Sequence, residues 1–430
     1  MEKGHPKGLY MLFTVEMWER FGYYGMRAIL MFYMLKYLGF STEKAGSIYG
    51  WFTGLVYLTP LAGGYIADHY LGQRKCIVIG ASLMAIGYFM LGLSAPLFLP
   101  SLLVIMIGNG FFKPNISTIV GRLYEPKDPR RDGAFTIFYM GINLGALFSP
   151  LIAGTLGEKF GWRYGFWAAA LGMVIGLVVY LLRSKQTIGD LCSTPVTCSA
   201  AIEPGEKVHK ASEPLTREEW QRIFVIFILT FFSMFFWGSF EQAGSSLSIF
   251  ADRSTNRMLF GYQFPASWFQ AVNPLFIMIL AIPFSNIWVW MAGKNIEPST
   301  PKKFFYALLF LGSGFALMVF AAELNRTTGA PVSFMWLAGA YFLHTVGELC
   351  LSPVGLSMVT KLAPPQHVSL LMGVWFLSSV GGNILGGMFA GNYDSMDHTL
   401  FFMIPTVIAF GSATILFFLI NPLKRWMHGA

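Results

Sequence analysis

Four ionisable side chains stand close together in one apolar stretch, Val15-Glu16-Met17-Trp18-Glu19-Arg20-Phe21-Gly22-Tyr23-Tyr24-Gly25-Met26-Arg27. That stretch runs from about Leu9 to Leu38, long enough for the roughly 20 helical residues that cross a hydrocarbon core of ~30 Å. Charges at such depth are costly and face a bundle interior or a wet cavity. On a helix turning ~100° per residue, Tyr23, Arg27 and Arg20 fall within roughly 40° of Glu16, with Glu19 about 60° away. The charges form one stripe, and Tyr24 lies at its edge. One reading is a pair of structural ion pairs that lock this helix to its neighbours. The other is a switchable cluster in a transport pathway. Arg20 cannot neutralise two acids, and burial beside a like charge favours the protonated form of a carboxyl. Either Glu16 or Glu19 is therefore a candidate proton carrier.

The surrounding chain is that of a polytopic membrane protein. Of 430 residues, 55% are hydrophobic and 12% charged, against roughly 25% charged in soluble domains. Apolar runs predict twelve helices, at about 9–38, 45–68, 74–94, 97–124, 134–157, 162–183, 219–251, 263–292, 302–323, 332–361, 367–391 and 399–421. Arg20, Arg27 and Lys113 fall inside these spans. The other Lys and Arg divide twenty to seven in favour of the side that holds both termini, which makes that side the cytoplasm. The net charge of +8 follows from this distribution and implies no nucleic acid. No short apolar region with a cleavage site precedes the first helix, so no secretory signal peptide is expected. Cys192 and Cys198 have no His at ligand spacing, and no metal or cofactor is expected. The polar segment 184–218 reads as a cytoplasmic linker between an N-terminal six-helix bundle, 1–183, and a C-terminal one, 219–430. Six plus six helices point to the major facilitator fold, an all-α membrane architecture with its site near the midplane between halves.

Further polar residues lie at mid-span. The fourth helix carries Lys113-Pro114-Asn115, where Pro114 frees the Gly110 carbonyl. The fifth reads Phe138-Tyr139-Met140-Gly141-Ile142-Asn143-Leu144-Gly145; its small residues allow close helix approach, and Tyr139 and Asn143 are one turn apart. The seventh holds Trp237 with Glu241-Gln242, the eighth Gln270 and Asn273-Pro274, the tenth Glu348 and Ser352-Pro353, the eleventh Trp375-Phe376. His344 precedes Glu348 by one turn and reads as a packing residue or a tuner of Glu348. Asp68, at a helix C-terminus where the dipole disfavours it, is expected to cap another helix.

Glu16-x-x-Glu19-Arg20 on a first membrane helix resembles the E-x-x-E-R motif of the proton-coupled oligopeptide transporter family. The run Gly64 to Lys75 is similar to the facilitator loop between helices 2 and 3. Phe112-Lys113-Pro114-Asn115, Phe138-Tyr139-x-Gly141-Ile142-Asn143-x-Gly145, Trp237-x-x-x-Glu241-Gln242, Asn273, Glu348-x-x-x-Ser352-Pro353 and Trp375-Phe376 match further family signatures. The resemblance implies a proton-coupled symporter of di- and tripeptides working by alternating access. It also implies substrate contacts from Tyr24, Arg27, Tyr57, Lys113, Tyr139, Asn143, Trp237, Asn273, Glu348, Ser352 and Trp375. Proton coupling falls to Glu16, Glu19 and Arg20. The gate pairs are expected to be Arg27 with Glu241 and Lys113 with Glu348. Segment 184–218 is too polar for the two extra helices that many bacterial members insert there. The reading is thus a minimal member in a bacterial inner membrane.

Across the spans, three cations face four acids, Glu16, Glu19, Glu241 and Glu348, so one acid is left over for a proton. The two charges of a zwitterionic peptide match this mixture. A nitrate carrier needs no Glu348, and a drug exporter needs fewer cations. A transporting sensor stays open. No nucleophile-base pair, metal cluster or phosphate-binding glycine loop marks an enzyme.

Overall fold

The computed structural model describes residues 4–125, 128, 130–195 and 215–428. Most of the expected linker, 196–214, lies outside the described residues, as do Cys198 and, from the charge count, Lys3, Lys127, Lys207 and Lys210.

The described chain is helical nearly throughout. The helices are α1 (Lys7–Phe32), α2 (Thr42–Ile66), α3 (Gln73–Leu91), α4 (Phe98–Arg122), α5 (Arg130–Ser149), α6 (Trp162–Ile188), α7 (Arg217–Phe240), α8 (Ser246–Arg253), α9 (Val272–Gly293), α10 (Thr300–Thr328), α11 (Met335–Leu362), α12 (Val368–Ala390) and α13 (His398–Trp426). Ten helical stretches are long and apolar enough to cross a membrane among the described residues. Stretch α1, which carries the four charges, and α2 complete twelve spans, because α7 and α8 are two halves of one.

Two compact units divide the chain. One comprises residues 1–39 with 55–206, the other 40–54 with 207–430. The division differs from the expected one in α2, whose first half belongs with the second unit. There Gly46 and Gly50 lie against Gly387 on α12, so close that a side chain on either would meet backbone, and Thr42 donates to Asp394.

Local chemistry sets the ends of several helices. Thr216 and Glu219 form a capping box that starts α7, which satisfies the free amides of the first turn. Helix α6 runs on to Ile188, five residues past the expected end, because Arg74 ties its last turns to α3 through Ser184 (3.2 Å) and the Gly189 carbonyl. Asp68 does not cap a helix as expected: Gly72 precedes α3 with no side-chain cap, and Asp68 instead accepts from the side chain of Gln73 at 2.6 Å.

The seventh span departs from the continuous helix expected over 219–251. It breaks at a 3-10 turn, Glu241–Gly244. The break is held by side chains that replace the lost helical bonds. The Ala243 carbonyl accepts from Gln270, from Ser248 at 2.8 Å and from Tyr341 at 3.2 Å, while Gln242 donates to the Gly386 carbonyl at 2.8 Å. Short ladders that sequence periodicity does not reveal flank this span. β1 (Thr255–Asn256) pairs in parallel with β4 (Val332–Ser333), and β2 (Met258–Leu259) pairs antiparallel with β3 (Tyr262–Gln263).

Candidate functional site

In the first unit, the charge stripe of α1 forms a buried cluster. Glu16 and Glu19 are wholly buried, and Arg20 nearly so. Arg20 grips Glu19 with two donors, Nη2 to Oε1 at 2.8 Å and Nε to Oε2. Its Nε also lies 3.3 Å from Glu16 Oε1. The second cation comes from α4: Lys113 Nζ donates to that same Glu16 oxygen. The other oxygen, Glu16 Oε2, is buried with no hydrogen-bond partner among the described residues. The cluster thus holds two acids and two cations in balance, which the sequence, reading Arg20 alone against two acids, does not show.

Helix α5 fixes this cluster from the side. Gly145 meets α1 so closely that a methyl there would overlap the Met17 carbonyl and press on Arg20 Cβ. Gly141 meets Phe13 in the same way, so the packing role expected of both glycines holds. The Arg20 guanidinium lies 5.3 Å from the Tyr23 ring and 5.9 Å from the Tyr24 ring, and the Arg27 guanidinium also lies 5.9 Å from the Tyr24 ring. Tyr24 thus meets two guanidinium groups, contacts favoured by the negative face of its ring. Asn143 is buried and donates to the Tyr139 carbonyl one turn back at 2.9 Å. Tyr139 and Tyr57 are exposed.

In the second unit, Glu348 on α11 has one clear partner. Asn273, at the start of α9, donates to Glu348 Oε2 at 2.8 Å and lies 3.0 Å from the Thr345 hydroxyl. An amide donor leaves the charge of Glu348 uncompensated by any cation in these bonds. Thr345 in turn donates to the Tyr341 carbonyl at 2.7 Å. The sequence carries no signal for Thr345, since only the fold shows Asn273 reaching it. Glu241 sits in the 3-10 turn and is buried. Trp237 packs edge-on against Phe236 and Phe240. Ser352 is half-buried.

Two residues are set in packing. Trp375 is buried against Phe304 and fills the space beside Gly355, where any side chain would strike its indole. His344 lies 4.7 Å from the Phe315 ring and close against Gly314, and its Nε2 has no partner among the described residues. Its environment is that of a core residue. No group of three or more metal-ligating side chains occurs among the described residues.

A twelve-span helical protein with buried ion pairs and further buried carboxylates in its spans is a membrane transporter by architecture and chemistry. Its sequence matches the model of the POT family over residues 74–188 and 184–407, and the chain belongs to that family. Similar proteins include the peptide transporter YePEPT of Yersinia enterocolitica, 36% identical over 99% of this chain and 96% of that one. The di-/tripeptide transporter of Lactococcus lactis is 32% identical over 99% and 97%. Among solved structures, the peptide transporter POT in complex with sulfate superposes with a TM-score of 0.91 at 34% identity, over 100% of this chain and 97% of that one. The YePEPT alignment runs over 494 positions against the 430 residues of this chain, so that relative carries segments with no counterpart here. The family match comes in two segments that overlap at 184–188.

Proposed function

We propose that this protein imports di- and tripeptides together with protons, in a cell membrane, with both termini in the cytoplasm. The observation that carries the coupling is the sharing of Glu16 between Arg20 and Lys113. At rest, two cations balance two acids. A peptide carboxylate that draws Lys113 to itself leaves Glu16 and Glu19 with Arg20 alone. One acid is then in excess in a buried site, and protonation removes that excess. Proton and peptide therefore favour each other's binding, which is the thermodynamic content of symport. The names of the relatives above support the choice of peptide.

The substrate's carboxylate falls to Arg27 and Lys113, since a guanidinium suits a carboxylate through its fork of donors and an ammonium adds a compact charge. Its amine falls to Glu348, with Asn143 and Asn273 as further acceptors. Tyr24, Tyr57, Tyr139, Trp237, Ser352 and Trp375 complete the walls. Alternating access would use Arg27 with Glu241 as one gate pair and Lys113 with Glu348 as the other, so that Lys113 serves Glu16, substrate and Glu348 in turn. The six-helix bundles read from the sequence, 1–183 and 219–430 joined by 184–218, would be the moving bodies.

Purified protein in liposomes tests the reading. An inward proton gradient should drive accumulation of labelled di- and tripeptides, while free amino acids and nitrate should not compete. Gradient-independent accumulation, or competition by nitrate rather than peptides, contradicts it.

A further inference from the structure

We infer that the hairpin between α8 and α9 is a membrane-surface anchor whose tip, Phe260, seats among the lipids at the boundary between headgroups and acyl chains. The hairpin is short and rigidly built. Met258 and Leu259 pair with Gln263 and Tyr262, and the two turn residues, Phe260 and Gly261, both have positive φ, 49° and 80°. That is the pattern of the tight hairpin turn that matches strand twist. Glycine adopts it freely, but a bulky aromatic does so at a cost. Asn or Asp is the ordinary choice at that position, so an aromatic there calls for a compensating contact.

Within the protein, Phe260 has none: its exposure is 101%. Met258, Leu259 and Tyr262 beside it are about half exposed. The run Met258 to Tyr262 bears no charge. The base, in contrast, is fixed. Arg257 donates to the Phe264 carbonyl at 3.0 Å and to Asp252 at 3.3 Å, and Thr255 and Asn256 pair with the strand that precedes α11. Phe264 stacks on Trp268 at 5.9 Å. Arg257 and Asp252 neutralise each other at the base, with side chains only 12% exposed. An uncharged apolar tip is thus held out from a braced stem.

The occupant follows from position. The hairpin joins the seventh span to the eighth, so it emerges at the membrane surface opposite the termini. The eighth span leaves only 6% of its apolar window buried, with Leu275, Ile279 and Ile282 exposed. The exposed apolar residues of the hairpin are thus followed in the chain, after a mostly buried turn at 264–271, by a span with a largely exposed apolar surface. Aromatic side chains at that level partition to the interface of the bilayer.

A nitroxide on Phe260→Cys, in nanodiscs of neutral lipid, tests the assignment by power saturation. The free thiols Cys76 and Cys350 are buried, and labelled parent protein supplies the background. Dissolved oxygen should relax the probe at 260 several-fold more than a water-soluble nickel complex. A probe at Tyr262→Cys should behave alike, and one at the exposed, polar Gln263 should show the reverse. Nickel dominance at 260 and 262 overturns the assignment. Shielding from both agents also overturns it, since the tip would then be covered by protein, whether a second copy or the mouth of the pathway. Peptide uptake is measured separately on the parent protein, so failure here is distinct from failure of the transport reading.

Discussion

Lys113 on α4 and Arg20 on α1 share one oxygen of Glu16, Lys113 by direct donation and Arg20 at 3.3 Å. Glu19 is held by Arg20 alone in the bonds it makes. The two acids therefore differ: Glu16 depends on a cation from another helix, whereas Glu19 depends on its neighbour in sequence. Removal of Lys113 unbalances Glu16 first.

That asymmetry predicts a rescue. Lys113→Ala leaves Glu16 buried with half its compensation, and breaking a buried pair costs about 3–5 kcal/mol, less here because Lys113 is partly exposed. Glu16→Gln removes the charge that was stranded. Thermal melting in detergent should show Lys113→Ala as less stable than the double variant Lys113→Ala/Glu16→Gln. Additive losses would mean the two do not act as a pair.

Gly145 is expected to tolerate no side chain. Gly145→Val forces the Met17 carbonyl and Arg20 Cβ away, and overpacking of this kind costs about 1–3 kcal/mol. The melting temperature should fall, and uptake should fall with it, because Arg20 moves. Gly373, where an added methyl would meet nothing within 4 Å beyond its own stretch of helix, is the control: Gly373→Ala should melt within a degree or two of the parent, as about 1 kcal/mol or less is at stake.

The polarity of the bound peptide is testable through Glu348. Acetylating the peptide amine should reduce binding to the parent protein by about tenfold or more, since a charge-assisted hydrogen bond is worth about 1.5–3 kcal/mol. It should reduce binding to Glu348→Gln far less, because that contact is already gone. Asn273→Ala, which removes the donor 2.8 Å from Glu348, should fall between. Additive losses from acetylation and Glu348→Gln would assign the amine elsewhere. Carboxyl amidation paired with Arg27→Ala or Lys113→Ala makes the reciprocal comparison.

The gate pairs predict exclusion. Interspin distances across Arg27 and Glu241, and across Lys113 and Glu348, should shift in opposite directions when peptide and proton are added. Both distances shortening together would contradict alternating pairs.

Much of the fold was legible because a membrane imposes long apolar runs. All twelve spans could be placed from hydropathy, and Gly141 and Gly145 could be read as packing positions from spacing alone. The break at Glu241–Gly244 could not, since Gln242, Gln270 and Tyr341 compensate it from distant positions in sequence. The stripe on α1 was readable as one face of a helix. Its balance was not, because Lys113 lies 97 residues from Glu16 and periodicity says nothing about which helices touch. His344, one turn from Glu348, illustrates the same limit: only the fold shows it pressed on Gly314 and Phe315.

The central claim is that Glu16 takes the proton as Lys113 turns to the peptide. Uptake of a labelled dipeptide into liposomes with and without an inward proton gradient, in the parent protein and in Glu16→Gln, tests it most directly. The parent should accumulate peptide above equilibrium only with the gradient, whereas Glu16→Gln should lose that accumulation yet keep exchange of labelled for unlabelled peptide. Gradient-driven accumulation at parental level in Glu16→Gln would contradict the account.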